Sequence, residues 1–252
     1  MRSNSKLATL LAGLFVWCGS ASAQSQPPGQ VVPARAELSP LDQPIAWLQG
    51  AERNMGAVKD YKCTLLSQER VKGELLPQNT IDFRMKAEPF SVSMRWLAPD
   101  KSRGQEVYYV DGKNQNKMRV KSPIFPNVVG FVSVDVNDPR VLQNSRHTIK
   151  EAGLGNMIDQ NLKYWTAARP LGQTKVTVAD YKFNNRDCIR LEVTALTPQA
   201  SGYCCRSIIY LEKESKIPMR IENYDWPREK GTPGGDLIES FSYVNLQFNV
   251  GL

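Results

Sequence analysis

The sequence predicts a mainly β (α+β) fold, in which a strongly curved antiparallel sheet packs around amphipathic helices. Three observations predict it. Runs of alternating apolar and polar residues recur from Tyr61 almost to the end of the chain, enough for about ten strands. Two other segments show helical periodicity instead. The alternation in most strands places apolar side chains on one face only, and that face is where the helices are expected to pack.

The first 23 residues are predicted to be a cleavable export signal. Arg2 and Lys6 precede an apolar run, Leu7–Trp17, and Ala21-Ser22-Ala23 supplies a small-x-small cleavage site. The run has about 11 residues, whereas a membrane-spanning helix needs roughly 20. We therefore expect cleavage after Ala23 and action outside the cytoplasm.

The mature chain is expected to be free of a lipid anchor and of a transmembrane segment. Cys18 follows the bulky Trp17, whereas a lipoprotein signal has a small residue there, and no later apolar run is long enough to span a bilayer. Loss of Arg2 and Lys6 lowers the net charge from +7 to +5. This basic balance fits a solvated surface or anionic lipid headgroups. Nucleic acid is not an expected partner, because the cations are scattered.

The domain itself is predicted to span residues 40–252. Residues 24–39 are rich in Pro, Gln and Ser and form a flexible leader. A first helix is expected over Leu41–Lys59, where Asp42 caps the start and Pro44 falls within the first turn.

The clearest hairpin lies on either side of Glu88-Pro89. In Ile81–Ala87 the odd-numbered residues are apolar and the even-numbered ones are charged. Phe90–Trp96 continues the alternation, so that one face of the hairpin is dry and the other wet. A second helix is expected over Gly153 to about Ala167, with one apolar side made of Leu154, Met157, Ile158, Leu162 and Trp165. The remaining predicted strands are Glu106–Val110, Lys117–Lys121, Phe131–Val136, Lys175–Tyr181, Asp187–Thr194, Cys205–Leu211, Pro218–Tyr224 and Leu237–Val250. In Asp187–Thr194 the alternation points Ile189, Leu191 and Val193 inward and Cys188 outward.

The dry face of the hairpin carries bulky and deformable side chains. Either these form an ordinary core, or they line a concave cavity that the helices only partly fill. The candidate ligand-binding residues are Phe83, Met85, Phe90, Val92, Met94 and Trp96.

No motif indicates catalysis or a cofactor. The chain has no Gly-x-Ser-x-Gly, His-Glu-x-x-His or phosphate-binding glycine loop. Its single histidine, His147, is expected to be a structural hydrogen-bonding residue. A triad of His147 with Cys63 or Cys188 stays open without positive support, but we expect no enzyme.

Four cysteines remain after signal cleavage: Cys63, Cys188, Cys204 and Cys205. Export permits a disulfide, and four cysteines allow three connectivities. The sequence is compatible with one disulfide and with none. The adjacent Cys204 and Cys205 point to opposite faces of a strand and cannot share one partner. The chain has no Cys-x-x-Cys spacing, so the cysteines do not suggest a metal site.

Several sequence blocks carry a family resemblance. They are Gln68-Glu69-Arg70-Val71, Pro89-Phe90-Ser91-Val92, Gly104-Gln105-Glu106-Val107, Ile217-Pro218-Met219-Arg220 and Tyr224-Asp225-Trp226-Pro227. In this order the blocks resemble the domain-of-unknown-function 1571 family of exported bacterial proteins, over about residues 41–252. That family resembles more distantly the periplasmic lipoprotein carriers LolA and LolB and the sensor domain of RseB. The resemblance implies a half-barrel with a hydrophobic cavity for acyl chains.

The sequence thus favours a periplasmic carrier or binder of a lipid or lipoprotein, without catalytic activity. Its expected partner is an acyl chain, held by the hairpin residues named above. The alternative is an RseB-like envelope sensor or scaffold that binds a protein and carries no lipid.

Overall fold

The computed structural model describes residues 38–122, 130–227 and 234–252. The predicted signal peptide, residues 1–23, and the leader as far as residue 37 lie outside the described residues. Leu38–Leu252 forms one compact unit. The predicted boundaries of the signal, leader and domain stay predictions.

The described chain contains twelve strands and three α-helices. The helices are α1 (Asp42–Met55), α2 (Leu154–Ala168) and the single turn α3 (Pro198–Ser201). The strands are β1 (Asp60–Val71), β2 (Glu74–Leu75), β3 (Asn79–Lys86), β4 (Ser91–Ala98), β5 (Glu106–Val110), β6 (Lys117–Lys121), β7 (Val132–Asp135), β8 (Thr174–Phe183), β9 (Arg186–Ala195), β10 (Arg206–Glu212), β11 (Pro218–Tyr224) and β12 (Leu237–Phe248).

All strands belong to one sheet, which is antiparallel throughout. The strand order is β7-β6-β5-β4-β3-β1-β12-β11-β10-β9-β8, and β2 extends β1 as a short hairpin. The first and the last long strands therefore pair at the centre, with Leu65 opposite Tyr243 and Glu69 opposite Glu239. In the described chain β7 and β8 are the two outer strands, so the sheet is not closed. This architecture confirms the predicted fold class.

The first helix ends earlier than predicted. Its last residue is Met55, and Gly56 follows as the C-cap, donating its N–H to the carbonyl of Glu52 at 3.0 Å. Lys59 then donates its N–H to the Asn249 side chain at 2.8 Å, which starts β1 on its course beside β12. The predicted helix Leu41–Lys59 thus included the turn that joins α1 to the sheet.

The core lies between the sheet and the two longer helices, in two adjoining clusters. One cluster packs Leu48 of α1 and Ile158 and Trp165 of α2 against Leu191 and Ile209. The other lies under β1 and β3–β6 and includes Phe83, Tyr109, Met118, Leu154 and Tyr243. Residues on the border between them, such as Met157 and Phe241, contact both.

The outer face of the sheet also carries a small apolar cluster. Cys188, Ile208 and Tyr210 are buried there beside Phe183 and Tyr224. The outward position of Cys188 confirms the predicted alternation in β9, where Leu191 and Val193 face the helices. The expectation that only one face is covered is wrong for β10, whose Ser207–Glu212 are all buried. A continuous run such as Ile208-Ile209-Tyr210-Leu211 signals burial on both faces.

Candidate functional site

A large cavity lies between the concave face of the sheet and α2. Its volume is about 1270 Å³, above the roughly 300–1,000 Å³ of ordinary small-molecule sites. Leu65, Phe83 and Tyr243 belong to the sheet wall, and Met157 and Trp165 of α2 form part of the opposite wall. The helices therefore fill the concave face only in part.

Half of the sequence-predicted ligand-binding residues line this cavity. They are Phe83 on β3 and Met94 and Trp96 on β4. Phe83 is fully buried, whereas Met94 and Trp96 are partly exposed and pack against the core. Met94 lies opposite Phe83 in the hairpin, so the three side chains form one apolar patch.

Met85, Phe90 and Val92 lie beyond the described cavity wall, in the packed core. The Tyr61 hydroxyl lies 3.1 Å from the Met85 sulfur, and Val92 is buried opposite Met85. Phe90 packs on the Tyr109 ring, with 6.1 Å between centroids. Alternation identifies the inward face of a strand, but it does not show where along the strand a helix covers that face.

Sequence reasoning missed most of the wall. Leu65 on β1, Val107 on β5 and Phe241 on β12 line the cavity, as do Met157 and Trp165 on α2. The helical stripe of α2 marked the last two as inward-facing, which is a signal for core and cavity wall alike. The pairing of β1 with β12, which brings Phe241 to the centre, is a long-range contact that no local pattern predicts.

A segment that we call the strap, residues 137–152 between β7 and α2, crosses the concave face. Near the end of the strap that joins α2, Lys150 Nζ lies 3.6 Å from Asp111 Oδ1 and 5.6 Å from the centre of the Tyr109 ring. The tip of the strap, Ser145–His147, reaches the C-terminal end of β1. There Arg146 Nη1 donates to the carbonyl of Arg70 at 3.1 Å. Most strap residues from Arg140 onward line the cavity. The strap therefore forms one side of the cavity.

The strap tip contacts a buried polar cluster at the centre of the sheet. Glu69 on β1 and Glu239 on β12 are direct cross-strand neighbours, and both are buried. His147 Nε2 lies 2.8 Å from Glu239 Oε2. Glu69 Oε1 accepts hydrogen bonds from the Ser145 hydroxyl and from the Arg146 backbone N–H, both at 3.3 Å. We call Glu69, His147 and Glu239 the Glu–His cluster.

The pKa values in the Glu–His cluster shift as expected for an ion pair. Burial lowers the pKa of His147, but the hydrogen bond and the charges of Glu239 and Glu69 outweigh it, so the pKa lies above its ordinary value. Burial raises the pKa of Glu239, yet the hydrogen bond and charge of His147 outweigh burial and lower it. The pKa of Glu69 is raised, chiefly by burial. The shifts of His147 and Glu239 both favour a protonated His147 beside an ionised Glu239.

The sequence matches the model of one protein family. The match covers residues 58–252, and the family is described as a protein of unknown function (DUF1571). The chain belongs to the DUF1571 family. No significant match is found among curated proteins.

Several solved structures are similar to this DUF1571 chain. The lipoprotein LppX of Mycobacterium tuberculosis is 11% identical, with a TM-score of 0.46 over 82% of this chain and 96% of LppX. A putative outer membrane lipoprotein-sorting protein domain from Vibrio parahaemolyticus is 13% identical, with a TM-score of 0.37 over 81% and 93% of the two chains. A MucA/MucB complex from Pseudomonas aeruginosa shows 14% identity and a TM-score of 0.41 over 82% of this chain and 57% of the matched one. These likenesses are loose.

The Glu–His cluster is also the group in the described residues whose donor atoms suit a metal ion. Its three ligand atoms lie within 4.8 Å of one another, and carboxylate with imidazole is a zinc-type donor set. However, Glu239 Oε2 already accepts from His147 and from the Tyr203 hydroxyl at 2.9 Å, and Oε1 accepts from Asn223 at 2.7 Å. Arg146 Nε adds a positive charge 3.8 Å from Oε2. The arrangement is an ion-paired network.

None of the cysteines in the described residues offers an activated thiolate. All four described cysteines are free thiols. Burial raises the pKa of Cys63 and that of Cys204 to about 12, and burial likewise raises the pKa of Cys188. These groups are protonated at neutral pH, so neither Cys63 nor Cys188 is prepared as a nucleophile.

No helix in residues 38–122, 130–227 or 234–252 is both long and apolar enough to cross a bilayer.

Proposed function

We propose that this protein is an exported, non-catalytic binder or carrier of a lipid or a lipid-modified protein. The observation that carries the proposal is the cavity of about 1270 Å³ between the sheet and α2. Export rests on the signal-like N-terminus, with cleavage proposed after Ala23, and it would place the protein in the periplasm. There an acyl chain in transit has to be shielded from water.

The cavity wall suits an acyl chain. Phe83, Met94 and Trp96 form one apolar patch, and Met157 and Trp165 face the cavity from α2. Met side chains adapt to flexible ligands because the thioether is unbranched and polarizable. Each buried methylene contributes about 0.8 kcal/mol, so ten of them supply about 8 kcal/mol before the cost of ordering the ligand.

Met85, Phe90 and Val92 enter the proposal as a second layer. They support the cavity wall from the packed core, and they would meet an acyl chain only if the strap and the start of α2 moved. We propose Phe83, Met94 and Trp96 as the contact residues of the resting protein.

The lining also includes Lys72 and Lys101, which are exposed and lie in the turns that follow β1 and β4. A polar or anionic headgroup beside them would remain in water while the acyl chain is buried.

The first test is the content of the protein as it leaves the periplasm. Protein exported in bacteria and purified without detergent is extracted with organic solvent, and the extract and the intact protein are analysed by mass spectrometry. We expect a stoichiometric acyl-containing molecule. We also expect the melting temperature of delipidated protein to rise on addition of phospholipid or lipopeptide. Protein that is always lipid-free and insensitive to both additions would exclude a carrier.

The alternative is an envelope sensor or scaffold that binds another protein. It predicts that a pull-down from envelope extracts returns one stoichiometric protein, whether or not detergent fills the cavity. A carrier of lipid-modified cargo loses its partner when detergent competes for the cavity.

A further inference from the structure

The strap is held to the sheet by two different kinds of contact. Near its α2 end, Ile149 is buried in the core, and the exposed Lys150 lies over the Tyr109 ring and 3.6 Å from Asp111. At its tip most contacts are hydrogen bonds, and they run to β1, β12 and the loop before β10. The tip is therefore the part whose attachment depends on buried carboxylates.

Charged and titratable groups face His147 from every element around it. Glu239 approaches from β12, Glu69 from β1, and Tyr203 from the loop before β10, where its ring centroid lies 6.5 Å from that of His147. Arg146 and Glu151 lie on the strap itself, and Glu151 accepts the backbone N–H of Thr148 at 2.7 Å. With His147 protonated, the two positive charges of Arg146 and His147 balance the two carboxylates of the Glu–His cluster.

We propose that the strap is the gate of the cavity, and that the Glu–His cluster is a latch that holds the gate shut while His147 is protonated. When His147 loses its proton, the buried Glu69 and Glu239 face each other with only Arg146 to offset them. Repulsion between two buried carboxylates then favours release of the strap tip. Only the identity of what passes the gate rests on the proposed function.

The direction of the pH effect follows from the shifted pKa values. The pKa of His147 in the folded protein lies above its ordinary value near 6.5, and the pKa of Glu239 lies below its ordinary value. The ion pair of His147 and Glu239 is therefore present at mildly acidic pH and is lost as pH rises through the raised pKa of His147. The gate is therefore closed below the pKa of His147 in the folded protein and loosens above it.

Hydrogen exchange of the full mature protein tests the gate without any ligand. Amide exchange in residues 140–148 is measured by mass spectrometry at about pH 6 and pH 9 and corrected for the intrinsic pH dependence of exchange. We expect exchange at the strap tip to be about tenfold faster or more at the higher pH, because a charge-assisted hydrogen bond is lost. His147→Gln should exchange fast at both pH values. Lys150→Gln, at the end of the strap next to α2, should keep the pH dependence at the tip.

Two outcomes overturn the gate. One is wild-type strap exchange that does not change with pH; this measurement decides even if His147→Gln fails to fold. The other is a folded His147→Gln protein whose strap exchanges as slowly as that of wild type at the lower pH. Uptake of a fluorescent long-chain fatty acid, followed in parallel, separates the two proposals. A protein whose strap loosens with pH but that never binds the fatty acid keeps the gate and loses the lipid-binding function.

Discussion

At the scale of single residues, Gly153 decides how the strap joins α2. Its φ of 99° is a conformation that residues with a Cβ rarely adopt. A Cβ at this position would overlap the Met85 sulfur and would lie 2.9 Å from the Tyr61 hydroxyl. Glycine is therefore required here both by the backbone and by the close approach of β1 and β3.

We expect Gly153→Ala to lower the free energy of unfolding by about 2–4 kcal/mol, the sum of an overpacked core and an alanine held at φ 99° and ψ 167°, a backbone region that glycine alone adopts readily. Gly104→Ala is the matched control, because Gly104 has a φ of 81° and no neighbour within 4 Å of the added Cβ. It should lose only about 1 kcal/mol, the backbone part of the cost. Urea unfolding followed by circular dichroism measures both. Equal losses would show that Met85 and Tyr61 adapt freely.

The Tyr61 hydroxyl performs a second task at the same place. It accepts the backbone N–H of Leu154 at 2.9 Å, the first residue of α2, in a fully buried position. Because Gly153 has no side chain to cap the helix, Tyr61 satisfies a donor that would otherwise be unpaired.

Tyr61→Phe should therefore lower the free energy of unfolding by about 1–3 kcal/mol, the usual cost of a buried unpaired donor. Tyr108→Phe is the control: the Tyr108 hydroxyl bonds Glu106 at 2.8 Å on the exposed surface, and its loss should cost about 0.5 kcal/mol or less. Denaturant titration of both variants compares them. A Tyr61→Phe protein as stable as Tyr108→Phe would mean that water replaces the hydroxyl.

At the scale of elements, α2 has one face in the core and another along the cavity. Ile158 is almost completely buried against α1 and β9, whereas Met157 beside it lines the cavity. Both residues belong to the apolar stripe that predicts the helix, so the sequence does not distinguish them. The difference arises because the sheet packs directly against α2 at Ile158, whereas the cavity lies between the sheet and α2 at Met157.

Ile158→Ala should cost about 2–5 kcal/mol of unfolding free energy, because it opens a new void in a packed core. Met157→Ala should cost less, because it only enlarges a space that already exists. Lys163→Ala on the exposed face of α2 is the control and should stay within about 0.5 kcal/mol of wild type. Thermal and urea unfolding rank the three. An Ile158→Ala loss no larger than that of Met157→Ala would contradict this division of α2.

Much of the element pattern can be predicted from the sequence. The alternation in Ile81–Ala87 and Phe90–Trp96 predicts β3 and β4 within two residues at each end, and the α2 stripe predicts its helix within one. The predicted ends that are wrong are those that depend on contacts with residues distant in the sequence. Phe248 ends β12, rather than Val250, because Asp60 accepts the backbone N–H groups of Val250, Gly251 and Leu252.

The site is less predictable than the fold for the same reason. His147 and Glu69 are 78 positions apart and Glu239 is 92 positions beyond His147, so only the pairing of β1 with β12 and the course of the strap bring them together. No local pattern marks Glu69 or Glu239 as buried. The alternation predicts Phe83, Met94 and Trp96 as inward-facing, because residues of a cavity wall and of a packed core follow the same apolar period.

At the scale of the whole molecule, the proposed function requires an open cavity within an otherwise packed domain. Ser67 lies at the centre of β1, is buried and lines the cavity between Leu65 and Glu69. Ser67→Phe should fill part of the cavity without disturbing β1, since aromatic residues suit strands.

We expect Ser67→Phe to weaken binding of a long-chain fatty acid about tenfold or more, because several methylenes lose their place in the cavity. Ser93→Phe, which adds the same ring to β4 beside Arg84 on the opposite face, should bind as wild type does. Fluorescent fatty-acid titration measures both affinities. Equal binding by the two variants would place the ligand elsewhere.

The most direct test uses the tryptophans of the protein as reporters. Trp96 and Trp165 line the cavity, whereas Trp226 is exposed and is not among the described residues of the cavity wall. Titration with a brominated long-chain fatty acid should quench the fluorescence of wild type and of Trp226→Phe in a saturable manner, because bromine quenches only on contact. The saturable quenching should fall substantially in Trp96→Phe. Quenching that is absent, or that is lost in Trp226→Phe and unchanged in Trp96→Phe, would contradict the claim that the concave cavity holds an acyl chain.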